Sequence, residues 1–79
     1  MVSQSIDVVL DVTDLRCPMP LLKTKQALSS MEPGQTIQVI STDAGSLRDI
    51  PAFIDLTSHS LLEREQVQEK IYFLIKKGE

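Results

Sequence analysis

The sequence predicts an α/β (α+β) fold: a two-layer sandwich in which a mixed four-stranded sheet carries two helices on one face. Three observations predict it. Apolar residues alternate at a period of two over residues 6–12, 35–42 and 71–76, the mark of strands with a buried face. Helical spacing governs 18–31 and 46–58, between those strands. The order strand-helix-strand-helix-strand-strand then favours right-handed crossovers that place both helices on the same side.

Ile6, Val8, Leu10 and Val12 alternate with Asp7, Val9 and Asp11, so 6–12 reads as the first strand. Thr13-Asp14-Leu15-Arg16 crosses the sheet end. Over 18–31, Leu21, Leu28 and Met31, with Leu22 and Ala27 beside them, form an apolar stripe, while Lys23, Lys25 and Gln26 stay wet. Glu32-Pro33-Gly34 stops the helix, because Pro33 disfavours helix at Glu32 and Gly34 permits a positive φ. Gln35–Thr42 carries Ile37 and Val39 on one face and Ile40 on the other, as an inner strand would.

Ser46 and Asp49 are spaced for a capping-box-like start to a second helix running to about Ser58. Leu47, Ile50, Ile54 and Thr57 face inward there, with Phe53 alongside. Pro51 predicts an irregular first turn around Asp49-Ile50-Pro51. Leu61–Glu69 is charged enough for an edge strand. Ile71–Lys76, with Ile71, Phe73 and Ile75 opposite Tyr72 and Leu74, closes an antiparallel pair across a turn near Gln68-Glu69-Lys70. Lys76-Lys77-Gly78-Glu79 reads as a solvated tail.

At 79 residues the chain is one domain, 1–79, with a single shared core and no repeat or linker. Its charge of -3 and its three aromatic residues, Phe53, Tyr72 and Phe73, speak against a nucleic-acid grip. One cysteine forms no internal disulfide, which suits a reduced, cytoplasmic setting. Met1-Val2-Ser3-Gln4-Ser5 has neither the basic nor the apolar region of a signal peptide, and no run is long enough to span a membrane. With Cys17 and His59 the sole residues of their types, no protein-only zinc site and no cofactor are expected.

The chemistry centres on Leu15-Arg16-Cys17-Pro18-Met19-Pro20. With Cys17 as N-cap, Pro18 is the first helical residue and Pro20 stays within the first turn, where a missing N–H costs little. The positive helix end, with Arg16 adjacent, lowers the thiol pKa and favours the nucleophilic thiolate. A buried structural cysteine is the plainer alternative, but the first turn after a strand is where α/β sheets place chemistry. His59 reads as a solvated residue at a helix end more readily than as a base, and no resolving cysteine exists. What remains is a lone thiol able to take a sulfane sulfur, hold it as a persulfide and surrender it to another thiol.

Leu10-Asp11, Leu15-Arg16-Cys17-Pro18-Met19-Pro20, Glu32-Pro33-Gly34, Thr42-Asp43, Arg48-Asp49-Ile50-Pro51-Ala52-Phe53 and Ile75-Lys76-Lys77-Gly78 resemble the TusA/SirA family of sulfur carriers over nearly the whole chain. The resemblance implies a fold like the C-terminal domain of translation initiation factor 3. It implies that Cys17 carries a persulfide received from a cysteine desulfurase or a rhodanese-type donor and passes it to an acceptor protein. Transfer RNA 2-thiouridine synthesis is the leading branch; sulfur oxidation and molybdenum-cofactor supply are the others. Pro18 and Pro20 carry over as motif positions. Arg16, Asp43 and Asp49 stand at family-like positions, Arg16 as a supporting residue. Asp43 and Asp49, with Met19, are candidates for partner contact. The free protein is expected to be a monomer that touches neither membrane nor nucleic acid.

Two other classes compete. A small RNA-binding or regulatory module would use Lys23, Lys25, Arg48, Lys76 and Lys77 as a patch. A peroxide-reactive thiol would need a reducing partner to resolve its sulfenic acid.

Overall fold

Val8–Val12 forms β1, the first of four strands in the computed structural model, which describes residues 6–79. The remaining elements are α1 (Met19–Ser29), β2 (Thr36–Ser41), α2 (Ser46–Asp55), β3 (Ser60–Val67) and β4 (Lys70–Lys76). The sheet order is β1-β2-β4-β3, with β1 parallel to β2 and β4 antiparallel to both β2 and β3. The expected β-α-β-α-β-β sandwich with a mixed sheet is therefore the fold observed.

Composition explains the strand order. β4 is apolar on both faces and fills the gap that the α2 crossover leaves between β2 and β3. β3 is mostly exposed and lies at the edge, where charge discourages pairing with another chain. A register shift between Leu61 and Glu63 lets this strand follow β4. Val67 pairs with Lys70, so Gln68 and Glu69 form a tight hairpin loop, and Gln68 takes the positive φ of 57° that such a loop demands.

The core lies between the helices and one sheet face. Val12, Ile37, Val39, Ile71, Phe73 and Ile75 meet Leu28 and Met31 from the α1 side and Ile50 and Ile54 from α2. The opposite sheet face, with Val9, Ile40 and Tyr72, has no helical layer.

Several boundaries differ from expectation. Ile6 is exposed and precedes β1, although Asp7 still bonds Thr36 through both backbone and carboxylate. Residues 1–5, where the absence of a signal peptide was read, lie outside the described residues. The first helix begins at Met19 with Pro18 as its cap, so Cys17 is not the N-cap and Pro18 is not the first helical residue. Its buried face is Pro20, Thr24 and Leu28, while Leu22 is exposed. Helical spacing identifies a stripe but not polar members of it. Thr24 enters the core because its hydroxyl donates to the Pro20 carbonyl at 2.8 Å, which satisfies it without water.

The second helix ends at Asp55, and its N-cap is Gly45 with no side-chain capping bond. The expected Ser46–Asp49 capping box does not form: Ser46 Oγ donates back to the Asp43 carbonyl at 2.6 Å, and Asp49 is engaged elsewhere. The helix runs through Pro51 instead of breaking around it. Buried Ile50 and Ile54 hold it to the sheet on either side of the lost hydrogen bond.

Lys76 and Glu79 are exposed as expected of the tail, but the tail is also tied down. Gly34 and Lys77 exchange backbone bonds with Lys77 and Gln35 respectively, and Ser58 Oγ donates to the Glu79 carbonyl at 2.6 Å. Gly78 N–H donates to His59 Nδ1 at 2.9 Å. A Cβ at Gly78 would lie 2.0 Å from the Ser58 carbonyl oxygen, so only glycine fits this approach.

His59 therefore clamps the C-terminus. Desolvation first, and the Lys77 charge second, hold its pKa below the ordinary value. A histidine with a depressed folded pKa stabilises fully above its unfolded pKa and loses that contribution as pH falls. Thermal stability is expected to decline as pH drops below about 6.5. A His59→Gln variant should lack that part of the slope. A wild-type Tm that is flat from pH 7 to 5 would contradict the clamp.

Candidate functional site

β1 and β2 run parallel, so their C-terminal ends share one edge of the sheet, and the N-termini of α1 and α2 follow at that edge. Residues 13–18 cross it. Asp14 adopts a positive φ of 69°, and its N–H donates to Thr42 Oγ1 at 2.9 Å. This turn delivers Cys17 to the surface, next to the loop that begins α2. The Cys17–Pro18 peptide is cis.

Cys17 is exposed, and two carboxylates grip it. Its backbone N–H donates to Asp43 Oδ2 at 3.1 Å, and its thiol Sγ donates to Asp49 Oδ2 at 3.3 Å. The other oxygen of Asp49, Oδ1, takes the Arg48 Nε–H at 3.1 Å. Asp43 is fixed in turn: its N–H donates to Ser41 Oγ at 3.1 Å and its carbonyl accepts Ser46 Oγ. Ser41 and Ser46 are buried against each other, 3.1 Å apart, which pins this loop to the end of β2. Gly45 lets the two segments meet, since a Cβ there would lie 3.1 Å from Asp43 Oδ2 and 3.7 Å from Cys17 Cβ.

The electrostatics reverse one expectation. The thiol pKa is raised, not lowered. The bond to Asp49 is the main cause, followed by desolvation and by the charges of Asp49 and Asp43; Arg48 alone opposes them. Asp49 is correspondingly held below the usual carboxylate range, by the thiol bond first and by Arg48 second. The helix-start argument fails for a geometric reason. Cys17 precedes the Pro18 cap of α1, and an acidic acceptor in direct contact with the sulfur dominates its environment.

The expected site residues divide clearly. Asp43 and Asp49 meet Cys17 directly. Met19, two residues after it at the start of α1, is 38% exposed, and Leu22 one helical turn on is exposed as well. Pro18 caps α1 and Pro20 is buried inside its first turn. Arg16 lines a polar cleft of about 220 Å³ with Asp14, Leu15, Thr42 and Asp43. The cation acting on the thiol is Arg48, not Arg16.

His59 lies at the opposite end of the sheet, next to the Ser60–Lys76–Thr36 register, so it is no base for Cys17. Three of the five basic residues stand in separate places. Arg48 is at the Cys17 edge, Lys25 sits 5.1 Å over the Phe53 ring, and Lys77 Nζ donates to the Leu28 carbonyl at the far end. Among the described residues, no group of three His, Cys, Asp or Glu side chains is arranged to hold a metal. No helix among them is long and apolar enough to cross a membrane.

Ser41, Gly45, Ser46 and Arg48 have site roles that sequence reasoning missed. The Arg48-Asp49 pair of adjacent opposite charges was the one available signal for them.

Comparison with known proteins bears on the family and the fold. A family model described as sulfurtransferase TusA matches residues 8–77. The chain is 44% identical over 72 residues to the sulfur carrier protein TusA of Allochromatium vinosum, covering 91% of this chain and 95% of that one. It is 40% identical over 72 residues to the putative sulfur carrier protein YrkI of Bacillus subtilis, covering 91% and 96%. The crystal structure of a SirA-like protein from Desulfitobacterium hafniense superimposes with a TM-score of 0.78 at 23% identity, covering 91% of this chain and 99% of that one. That likeness bears on the fold.

Proposed function

Because the chain belongs to the TusA sulfurtransferase family, we propose that it relays sulfur as a persulfide on Cys17. The observation that carries this reading is the placement of its one cysteine. That thiol is exposed at the sheet edge where both crossover helices begin, and it is held there by backbone and side-chain bonds.

A thiol in this position reaches a partner's sulfur without a substrate pocket. Cys17 attacks the terminal sulfur of a donor persulfide, and the donor sulfur leaves as a thiolate. The carrier then offers the terminal sulfur to an acceptor thiol in a second exchange. The donor is a cysteine desulfurase or a rhodanese-type protein, and the acceptor is a relay protein serving tRNA 2-thiouridine synthesis in the cytoplasm. Met19 and Leu22, in the first turn of α1, supply the adaptable apolar contact. The protein is a monomer when free and acts as a carrier between partners.

Incubation with a cysteine desulfurase and cysteine is expected to add the mass of one sulfur atom to the intact chain, with dithiothreitol removing it. No gain with either a desulfurase or a rhodanese-type donor would overturn the reading.

A further inference from the structure

We infer that Asp49 guards the resting thiol: its carboxylate holds the Cys17 proton, so the unloaded carrier presents a slow thiol and not a reactive thiolate, and Arg48 sets the strength of that hold. This rests on the reading of Cys17 as the sulfur-bearing residue.

The geometry is that of a fixed clamp. Asp49 spends one oxygen on Sγ at 3.3 Å and the other on Arg48 Nε at 3.1 Å, so the carboxylate is oriented from both sides. The neighbouring Ile50 is buried in the core, which stops this turn of α2 from swinging away. The Asp49 side chain is 22% exposed, whereas that of Arg48 is 80% exposed and open to replacement.

Among the described residues, the charges acting on the sulfur are Asp43 from the loop before α2 and Arg48 and Asp49 from α2, while Asp14 and Arg16 of the crossing segment line the adjacent cleft. Ionising Cys17 breaks the S–H···O bond and leaves a thiolate facing two carboxylates with one offsetting guanidinium. Asp49 does not itself remove the proton, because the same two bonds hold its carboxyl below the usual carboxylate range.

The consequence for sulfur loading follows from its balance. A bond forms between Sγ and the donor's terminal sulfur. The donor S–S bond breaks, and its inner sulfur leaves with the electron pair. Cys17 Sγ is oxidised to the persulfide level while the donor's inner sulfur is reduced to a thiol, so no outside oxidant is needed, and the proton given up by Cys17 ends on the leaving thiolate. The attacking species is the thiolate, so the clamp slows loading, alkylation and oxidation of the free carrier together. A tenfold gain in thiolate yields only about a threefold gain in rate, because nucleophilicity falls as the thiol becomes more acidic.

The test is a titration of thiolate ultraviolet absorbance, with iodoacetamide alkylation at pH 7, on wild type, Asp49→Asn and Arg48→Ala. Asp49→Asn is expected to ionise at lower pH and to alkylate roughly two- to fivefold faster. Arg48→Ala is expected to shift the opposite way, since Asp49 then acts unopposed. Loosening of the loop would move both variants in one direction, so opposite signs identify the electrostatic clamp. An unchanged or upward titration in Asp49→Asn overturns the guard, as does a downward one in Arg48→Ala; the exposed Arg48 variant keeps the test valid if Asp49→Asn folds poorly. Wild-type sulfur loading, measured in parallel, separates the two ideas. Loading without a titration shift rejects the guard alone; a shift without loading rejects the carrier reading alone.

Discussion

Cys17→Ser is expected to abolish sulfur loading while leaving the fold intact. Serine keeps the backbone N–H that donates to Asp43 and offers a hydroxyl to Asp49, so the local bonds survive. Cys17 is exposed and contributes nothing to the core, and surface replacements of this kind stay within about 0.5 kcal/mol. The hydroxyl cannot replace the sulfur, because an alkoxide is not formed near neutral pH and Asp49, held below the usual carboxylate range, is too weak a base to take the proton. Intact mass after incubation with a persulfide donor should show no adduct, and the circular dichroism and Tm should match wild type. Unfolding of the variant would instead mark Cys17 as structural. A residual one-sulfur adduct would place the carried sulfur elsewhere.

Phe73→Ala is expected to have the largest effect on stability. Phe73 is 0% exposed on β4, between Val39 of β2 and Arg64 of β3 in the register. It is among the largest fully buried side chains and faces the helical layer that Leu28 and Ile50 supply. Truncating a buried phenylalanine costs about 3–5 kcal/mol through lost transfer energy and the cavity left behind. For a domain this small, that cost matches much of the total stability and corresponds to a fall in Tm of roughly 12–40 °C. Urea denaturation should show a midpoint shift with little change in slope. A loss of under about 1 kcal/mol would mean that the core closes around the missing ring. The outward-facing Tyr72 on the same strand would then be the better candidate for the fold's anchor.

The two variants probe different layers of the molecule, and the sequence revealed these layers unequally. Strands and helices were legible because burial imposes a period on each. Ile71, Phe73 and Ile75 announce one face of β4, and the charges of β3 announce an edge. Cys17 was legible as the reactive residue because it is the one thiol and follows a strand. Element ends were less legible. Ser46 and Asp49 had the spacing of a cap, yet Ser46 bonds back to the Asp43 carbonyl three residues earlier and Asp49 bonds Cys17 across the chain. The tail looked solvated because nothing local in Lys77-Gly78-Glu79 reports that Gly34, Ser58 and His59 lie against it.

The sequence by itself determined the architecture, the edge and interior strands, and the sulfur atom on which the chemistry turns. These follow from local periodicity and residue type, which fold into structure without reference to distant positions. The tertiary structure alone decided the chemical state of that sulfur. Local reasoning set Cys17 at a helix start with Arg16 and expected a thiolate. Folding brought Asp43 and Asp49, which are 26 and 32 positions away, into contact with it. At contact distance a carboxylate that accepts the thiol proton outweighs the field of a helix end that begins beyond the cysteine. That balance depends on which side chains meet, and their meeting is a property of the packed chain.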